Sequence, residues 1–286
     1  MPISSSSIDA TESALLSAGK PWIASELAID RDAPAPVKWT STGSHADADE
    51  ADADYPTARA IDGHLHLDTR PDSSATTWYL TGQLTSTAAE VDTLIIRGDF
   101  SGGLPTVTLT LSTDAAFTSP TTATTVINVV DGRTVVALTD RYTGASYARL
   151  QITDGSAITP QIHEWFVGRR RQLPAFPERP GEMAALRWDG GTFRSASGIE
   201  ITYAEAAGFV AASWDVIVPE SYAAGLRTMR AAANYGARPI WMRWDAEDPY
   251  LFRCQSPIEI VQVQPLLHSL RLDVREVAPF VSSEDA

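Results

Sequence analysis

Residues 37–168 consist of short β-prone runs separated by turn residues, and this pattern restricts the fold more than any other feature of the chain. In the clearest run, Thr106 to Ser112, apolar and polar residues alternate, so that Val107, Leu109 and Leu111 face one side. The region has no helical periodicity over a useful length. Many short strands with turn signals between them predict an antiparallel β-sandwich or jelly roll.

The C-terminal third of the chain follows a different pattern, which predicts a smaller domain of mixed structure. A helix is expected at residues 220–235, where apolar residues recur with a helical period on one face. β-Prone runs before and after it predict the order β-β-α-β-β-β. The last strand is expected at residues 268–277, with Leu270, Leu272 and Val274 facing the core.

The sequence therefore predicts a mainly β protein with one helix. The predicted parts are an N-terminal arm and linker (1–36), the β-sandwich (37–168), an Arg/Pro-rich connector (169–182), the smaller domain (183–280) and a C-terminal tail (281–286). The arm is expected to pack on its own chain or on a neighbour.

The connector begins with three arginines, Arg169, Arg170 and Arg171, and continues with three spaced prolines. Proline lacks a backbone donor and fixes φ, so an extended segment is expected here. In a chain with a net charge of −14, the arginines are expected to form salt bridges rather than to bind nucleic acid. Together with Trp241 and Trp244, they are the predicted residues of an oligomer interface.

Charge and cysteine content exclude several classes of protein. A net charge of −14 argues against nucleic-acid binding, which needs a basic surface. The single cysteine, Cys254, excludes a disulfide framework and a cysteine-based zinc site within one chain. The sequence has no apolar run of membrane-spanning length and no visible secretory signal. We therefore expect the protein to be used without export by that route and without membrane insertion.

Two groups of side chains could start a metal site, and neither has a diagnostic spacing. The first is an acidic segment at 47–54, made of Asp47, Asp49, Glu50, Asp52 and Asp54. Its oxygens could bind calcium, although the glycine and the fixed glutamate of an EF-hand loop are missing, and a solvated acidic loop is the favoured alternative. His64 and His66 sit two apart, so on a strand they would share one face; no third zinc ligand is evident, and two polar residues on an exposed strand face are the favoured alternative. We predict no cofactor.

The chain has no motif of an enzyme class, and we predict that it is not an enzyme. It lacks the Gly-x-Ser-x-Gly elbow and the phosphate-binding Gly-rich loop. The paired carboxylates of a glycoside hydrolase remain open at this level. Five aromatic side chains could stack on a sugar ring, although core packing is favoured for most of them. They are Trp78, Tyr79, Tyr142, Tyr147 and Trp165.

Several segments of residues 37–168 resemble one fold family. They are Trp39 to Thr42, Tyr55 to Gly63, the strand opened by Trp78, Leu111 to Phe117, Tyr147 to Ile152, and Ile162 to Trp165. This region resembles the galactose-binding-like jelly roll of discoidin and coagulation-factor C-type domains. The flanking cysteines of that family are missing. The resemblance implies a jelly-roll fold and a spacer or weak glycan binder, and it transfers no ligand residues.

Residues 183–280 look like the small β-barrel domain of phage distal tail and minor tail proteins. The likeness is carried by Trp214 to Val216, Asn234 to Gly236, Pro239 to Trp244 and Leu270 to Val277. In that family such domains form rings at the end of the tail.

These resemblances imply a structural protein of a phage tail tip or baseplate, located in the virion and assembled in the host cytoplasm. Its expected partners are further copies of itself in a ring of three or six, other tail proteins and host glycan. A stand-alone carbohydrate-binding protein is the first alternative, and a polysaccharide hydrolase is the second.

Overall fold

A computed structural model of the chain contains two compact units. It describes residues 3–7, 21–63, 67–99, 105–118, 121–128, 133–173, 185–187, 190–194, 200–204, 209–236, 238–243 and 250–277. The first unit consists of Met1–Ser17 and Glu26–Arg170, and the second of Ala18–Ser25 and Arg171–Ala286. The five-part division drawn from the sequence stays a prediction.

The strands up to residue 172 are β1 (Ser4–Ser7), β2 (Trp22–Leu27), β3 (Val37–Thr40), β4 (Ala75–Gln83), β5 (Val91–Asp99), β6 (Thr106–Ser112), β7 (Thr121–Asn128), β8 (Arg133–Thr143), β9 (Tyr147–Ile158) and β10 (Gln161–Gln172). A 3-10 turn covers Thr57–Ile61. One sheet of the first unit has the order β3-β4-β9-β6-β7, and the other contains β1-β8-β5-β10. All these neighbours are antiparallel.

Apolar side chains from both sheets form one core, which confirms the predicted mainly β sandwich. Val107, Leu109 and Leu111 are fully buried in it, as their alternation in the sequence predicts. Trp39 and Trp78 meet edge to face in this core, with ring centroids 6.3 Å apart. Such a T-shaped arrangement suits the quadrupoles of two aromatic rings.

The elements after residue 184 are β11 (Ala185–Arg187), β12 (Gly190–Arg194), β13 (Glu200–Ala204), β14 (Phe209–Pro219), helix α1 (Glu220–Ala232), β15 (Ile240–Arg243), β16 (Tyr250–Cys254), β17 (Glu259–Gln264) and β18 (Leu267–Glu276). A 3-10 turn, Asn234–Gly236, follows the helix. Within the second unit the sheet order is β2-β15-β16-β18-β14-β11, with β17 also paired to β18 and β12-β13 forming a separate pair.

The predicted strand order of the smaller domain needs correction, because the described chain has four strands before the helix and four after it. Two of the strands that the sequence prediction missed, β11 and β12, have three and five residues, and β12 begins with two glycines. Runs this short show too few alternations to be recognised. The helix itself is confirmed, as is the inward face of the last strand, where Leu270, Leu272 and Val274 are buried.

The predicted N-terminal arm packs on its own chain. Strand β1 pairs with β8 in the first unit, and Trp22 to Ala24 of β2 pair with β15 in the second. In the part of the chain that the structure describes, no helix is long and apolar enough to cross a membrane.

Candidate functional site

A cluster of charged side chains lies at one end of the first unit, where the segment 67–70 meets the start of β10 and the end of β5. The segment is attached to β10 through Thr69 and Ile162, whose backbone groups exchange two hydrogen bonds of 2.9 Å. The buried indole of Trp39 donates to the Thr69 hydroxyl at 2.9 Å, and that hydroxyl donates to the carbonyl of Tyr55 at 3.0 Å. The core thus fixes the position of both loop segments.

His163 enters this cluster because of a β-bulge. In the ladder between β5 and β10, Ile162 pairs with Gly98 and Glu164 pairs with Arg97, so His163 is an extra residue. A bulge of this kind changes the direction of one side chain and is common beside functional sites. Gly98 is required opposite the bulge, because a Cβ there would lie 2.3 Å from the carbonyl oxygen of Gln161.

His163 is surrounded by charges of both signs. Burial is the main cause that lowers its pKa, and Arg97 lowers it further. The carboxylates of Asp68 and Asp99 act in the opposite direction. Because the net pKa shift is downward, the imidazole is neutral at pH 7, and one ring nitrogen can donate a hydrogen bond while the other accepts one.

Tyr55 closes one side of this cluster and is itself covered by arginines. The guanidinium carbon of Arg70 lies 3.3 Å from the centroid of the Tyr55 ring, and that of Arg59 lies 5.7 Å from it. Arg70 also forms a salt bridge of 3.3 Å with Asp68, whose carbonyl accepts a hydrogen bond from Arg59 at 3.4 Å. The ring therefore orients the guanidinium groups and offers little free face for stacking.

We define the end cluster as Asp68, Arg70, Arg97, Asp99 and His163. Arg97 and His163 are half-buried and Asp99 is exposed, so the cluster is open to solvent on one side. Guanidinium groups donate hydrogen bonds, carboxylates accept them, and neutral imidazole does both. Neighbouring hydroxyl groups of a small polar ligand need this combination of donors and acceptors.

A buried carboxyl group lies directly beside the end cluster. Glu164 is 2% exposed, and one of its oxygens accepts a hydrogen bond of 2.9 Å from the backbone N–H of Gly63. Burial raises the pKa of Glu164 well above its ordinary value, and nearby Asp62 raises it further, against the opposing influence of Arg31. This residue follows the bulge in sequence and contributes to the interior of the sandwich.

The acidic segment at 47–54 acts mainly as a set of acceptors for the chain's own donors. Asp49 accepts from the backbone N–H of Trp39 at 2.9 Å and from the Thr57 hydroxyl at 2.8 Å. Glu50 accepts from the N–H and the hydroxyl of Ser41, both at 3.0 Å. No group of three or more metal-binding side chains occurs among the described residues. His64 and His66 lie outside them.

The aromatic residues considered for sugar stacking fall into two groups. Trp78 and Trp165 are buried in the core. On the outer face of the five-stranded sheet, the Arg149 guanidinium lies 5.1 Å from the ring centroid of Tyr79 and 4.5 Å from that of Phe117. Burial lowers the pKa of Arg149. Tyr142 and Tyr147 are half-buried, and no described contact makes either of them part of the end cluster.

The residues predicted for an oligomer interface are distributed over both units. Trp241 is 1% exposed inside the second unit, and Trp244 lies outside the described residues. Arg169 pairs with Glu90, and the buried Arg170 bonds to the carbonyl of Asp92. The ion pairs of Arg169 with Glu90 and of Arg170 with Asp92 confirm the predicted salt bridges for two of the three arginines.

Arg171 lies in the second unit, next to Gly225 of helix α1. A Cβ added at Gly225 would lie 3.1 Å from the guanidinium group of Arg171. The oligomer interface on these residues stays a prediction, and two of them, Trp241 and Arg170, are already buried within their own units.

Sequence reasoning missed the end cluster, although it left a weak signal. Arg97 and Asp99 are charged residues at the end of a strand that is otherwise apolar from Val91 to Ile96 except for Asp92 and Thr93. His163 carried no signal, because its position depends on a bulge in the partner ladder rather than on its neighbours in sequence.

Comparisons with known proteins give low similarity. No family model and no curated protein matches the chain. Among solved structures, a chitosan-binding module of a Paenibacillus sp. IK-5 chitosanase/glucanase is 17% identical, over 51% of this chain and 98% of that one, with a TM-score of 0.38.

The family 32 carbohydrate-binding module of Clostridium perfringens NanJ is 15% identical over 50% and 99% of the two chains, with a TM-score of 0.36. A Streptococcus pneumoniae fucose-binding module is 14% identical over 50% and 96%, with a TM-score of 0.37. These likenesses are too weak to support an inference about function. The predicted resemblance to phage tail proteins finds no support among the comparisons.

Proposed function

We propose that this protein binds carbohydrate without catalysing a reaction, through the end cluster of its first unit. The observation that carries the proposal is that the charges of Asp68, Arg97 and Asp99 all influence the half-buried imidazole of His163 in the first unit. These side chains come from three separate segments of the chain. A β-bulge at His163 and the antiparallel β-bridge between Thr69 and Ile162 bring the segments together. Such a rigid frame suits a binding site that must hold its polar groups in fixed positions.

The ligand class follows from the chemistry of these groups. Hydrogen bonds in which the donor or the acceptor is charged are stronger than neutral hydrogen bonds. An arginine can donate to the oxygen of a sugar hydroxyl, and a neighbouring aspartate can accept from the next hydroxyl. Because Arg70 covers the ring of Tyr55, recognition rests on hydrogen bonds more than on stacking. The mixed charges of the cluster favour a neutral sugar over a polyanion.

The test is a binding measurement on the full chain with Arg97→Ala. A glycan array selects the ligand, with chitosan oligomers, galactose and fucose among the probes, and calorimetry measures its affinity. Losing a charged hydrogen-bond donor is expected to weaken binding by about tenfold or more. Arg271→Ala is the matched control, because it removes the same charge from an exposed position in the second unit.

Equal affinities of wild type and Arg97→Ala for every bound glycan would exclude the end cluster as the site. Failure of the wild type to bind any glycan would refute the function itself. Incubation with the selected glycan, followed by chromatography of the products, separates binding from hydrolysis. Release of shorter saccharides would favour the hydrolase alternative.

As a second candidate, we propose a structural role at the tail tip or baseplate of a phage, in the virion, with further copies of the chain and other tail proteins as partners. One observation favours an assembly role: the hairpin of β17 and β18 exposes Val261, Val263 and Leu266. Immunogold labelling of virions with antibodies against the chain tests this candidate. Labelling at the distal tail supports it, and unlabelled virions contradict it.

A further inference from the structure

The chain contains four Asp-Gly pairs, and their surroundings decide which of them can react with itself. The side-chain carboxyl of an aspartate can combine with the backbone nitrogen of the next residue, and glycine allows this most readily because it has no Cβ beside that nitrogen. The structure describes both residues of two pairs, Asp62 with Gly63 and Asp154 with Gly155. The four pairs begin at Asp62, Asp131, Asp154 and Asp189.

The second described pair lies in a bulged segment of β9. In the ladder with β4, the regular pairing of β9 stops at Thr153 and resumes at Ile158, so residues 154–157 face a single residue of β4. The ladder between β9 and β6 also ends at Thr153. Among the described strands, therefore, neither neighbour of β9 gives the bulged segment 154–157 a regular pairing partner.

The space around Gly155 is open. Gly155, Ser156 and Ala157 are exposed, and a Cβ built on Gly155 would meet no atom within 4 Å. The peptide group before Gly155 can therefore rotate without a collision. Such rotation is needed, because the backbone nitrogen must turn towards the side-chain carbon that it attacks.

The carboxyl group of Asp154 is kept close to that nitrogen. One of its oxygens accepts a hydrogen bond of 2.9 Å from the backbone N–H of Ser156. This contact is an Asx turn, a local ring of atoms that includes the peptide group between Asp154 and Gly155. The hydrogen bond is exposed to solvent, so water can replace it and release the carboxyl group beside the Gly155 nitrogen.

Asp62 and Gly63 are the same two residues in surroundings that oppose the reaction. Gly63 is buried, and its backbone N–H donates a hydrogen bond of 2.9 Å to the buried Glu164. Its φ is 79°, so the chain turns sharply here after the 3-10 turn Thr57–Ile61. Attack would break a buried hydrogen bond and rotate a peptide plane inside the packed sandwich. This pair is therefore an internal reference for the exposed one.

We propose that Asp154 is a site of spontaneous modification, at which the folded chain converts aspartate to isoaspartate. The Gly155 nitrogen forms a bond to the carbon of the protonated side-chain carboxyl and loses its proton, while one carboxyl oxygen leaves as water. Water then opens the resulting five-membered succinimide ring. Opening at the side-chain carbonyl restores aspartate, and opening at the main-chain carbonyl gives isoaspartate. No electron is transferred, the mass of the chain is unchanged, and water is the only co-reactant.

The bulged segment can accommodate the product. Isoaspartate lengthens the backbone by one atom and leaves a free carboxyl group on the α carbon. Within a regular ladder, the extra atom would disturb the register of the pairs that follow. In the bulged segment it can be absorbed before pairing resumes at Ile158, so we expect the modified chain to keep its thermal midpoint. Glycan binding by the end cluster plays no part in this chemistry.

The test follows isoaspartate in the full chain during several weeks in mildly acidic buffer, which increases the protonated fraction of exposed carboxyl groups. Trypsin places the two described pairs in different peptides, since Arg97 and Arg149 lie between them. An isoaspartate peptide has an unchanged mass and a changed retention time, and a methyltransferase specific for isoaspartate labels it. The folded chain is expected to accumulate isoaspartate at Asp154 and to keep Asp62 unmodified. The same chain unfolded in urea is expected to react at both.

Two variants assign the reaction to this pair. Asp154→Glu keeps the carboxylate, but the ring would have six members and forms much more slowly, so the modification is expected to disappear. Gly155→Ala adds a Cβ beside the attacking nitrogen and is expected to slow the reaction severalfold, with the fold unchanged because that Cβ meets no atom. A folded chain without isoaspartate at Asp154, or with equal amounts at Asp62 and Asp154, would overturn the proposal. A clearly lowered thermal midpoint of the modified chain would show that the bulged segment does not absorb the extra atom.

Discussion

Asp92→Ala is expected to be among the most destabilising single substitutions in the first unit. Asp92 is fully buried and lies between two arginines. Arg141 donates to one of its oxygens through two nitrogens, both at 3.0 Å, and the backbone N–H of Arg170 donates to the other oxygen at 2.9 Å. The side chain of Arg170 is itself only 3% exposed. Alanine would remove this carboxylate from both arginines.

The size of the effect follows from burial. Removing one partner from a buried ion pair costs about 3–5 kcal/mol, because the remaining charge stays desolvated and loses that attraction. Glu90, two residues earlier, provides the contrast. It pairs with Arg169, but the two side chains are 32% and 17% exposed, and a solvent-screened pair contributes about 0–1 kcal/mol. Glu90→Ala is therefore the matched control, because it also removes a carboxylate that pairs with an arginine, at a more solvent-exposed position.

The free energy of unfolding of both variants is measured by urea titration, with calorimetry as a second method. For a domain of this size, about 1 kcal/mol corresponds to about 2–4 °C in Tm, so Asp92→Ala is expected to lower Tm by roughly 10 °C or more. Glu90→Ala is expected to lower it by less than about 4 °C. Equal losses in the two variants, or a loss below about 1 kcal/mol for Asp92→Ala, would refute the argument from burial.

Three further predictions concern the end cluster and its surroundings. Glu164→Gln is expected to stabilise the protein at pH 7 and to have little effect near pH 4. Because the pKa of Glu164 is raised in the folded protein, ionisation of this group opposes folding. The wild type therefore loses stability as pH rises above about 4.3, the ordinary pKa of glutamate. Glutamine cannot ionise, so the variant does not lose stability in this way. Gly98→Ala is expected to cost about 1–3 kcal/mol, since the new Cβ would meet a backbone oxygen. Glycan affinity is expected to stay constant from pH 8 to about 6.5 and to fall in more acidic solution, where His163 gains a proton despite its lowered pKa.

Each of these predictions has its own control. Urea titrations at several pH values measure the Glu164→Gln effect, and a variant that is less stable than wild type at pH 7 would show that the native carboxylate is ionised. Gly155→Ala is the control for Gly98→Ala, because a Cβ at Gly155 meets no atom within 4 Å. His163→Gln is expected to abolish the loss of glycan affinity in acidic solution. If the variant still loses affinity in acid, another group is responsible for the loss.

Local patterns in the sequence predicted those parts of the fold that depend on neighbours along the chain. The alternation of Val107, Leu109 and Leu111 placed them in the core, and the apolar stripe of residues 220–235 indicated the helix. The short strands β11 and β12 were missed because their pairing, rather than their own pattern, makes them strands. The salt bridges of Arg169 and Arg170 followed from the acidic composition of the chain.

The end cluster depends on contacts between distant segments. Thr69 and Ile162 form a bridge, and Arg97 and His163 meet through a bulge opposite Gly98. The register of a β-ladder can shift by one residue, and the sequence pattern of the two strands does not show where such a shift occurs.

The sequence by itself determined that this is a mainly β, acidic chain with one helix, because secondary structure follows residue periodicity and net charge is a sum over residues. The tertiary structure alone decided which charges are buried, which meet at the end cluster and which apolar residues stay exposed on the β17–β18 hairpin. Those outcomes depend on strand register, bulges and solvent exclusion, and these arise only when segments far apart in the chain come together.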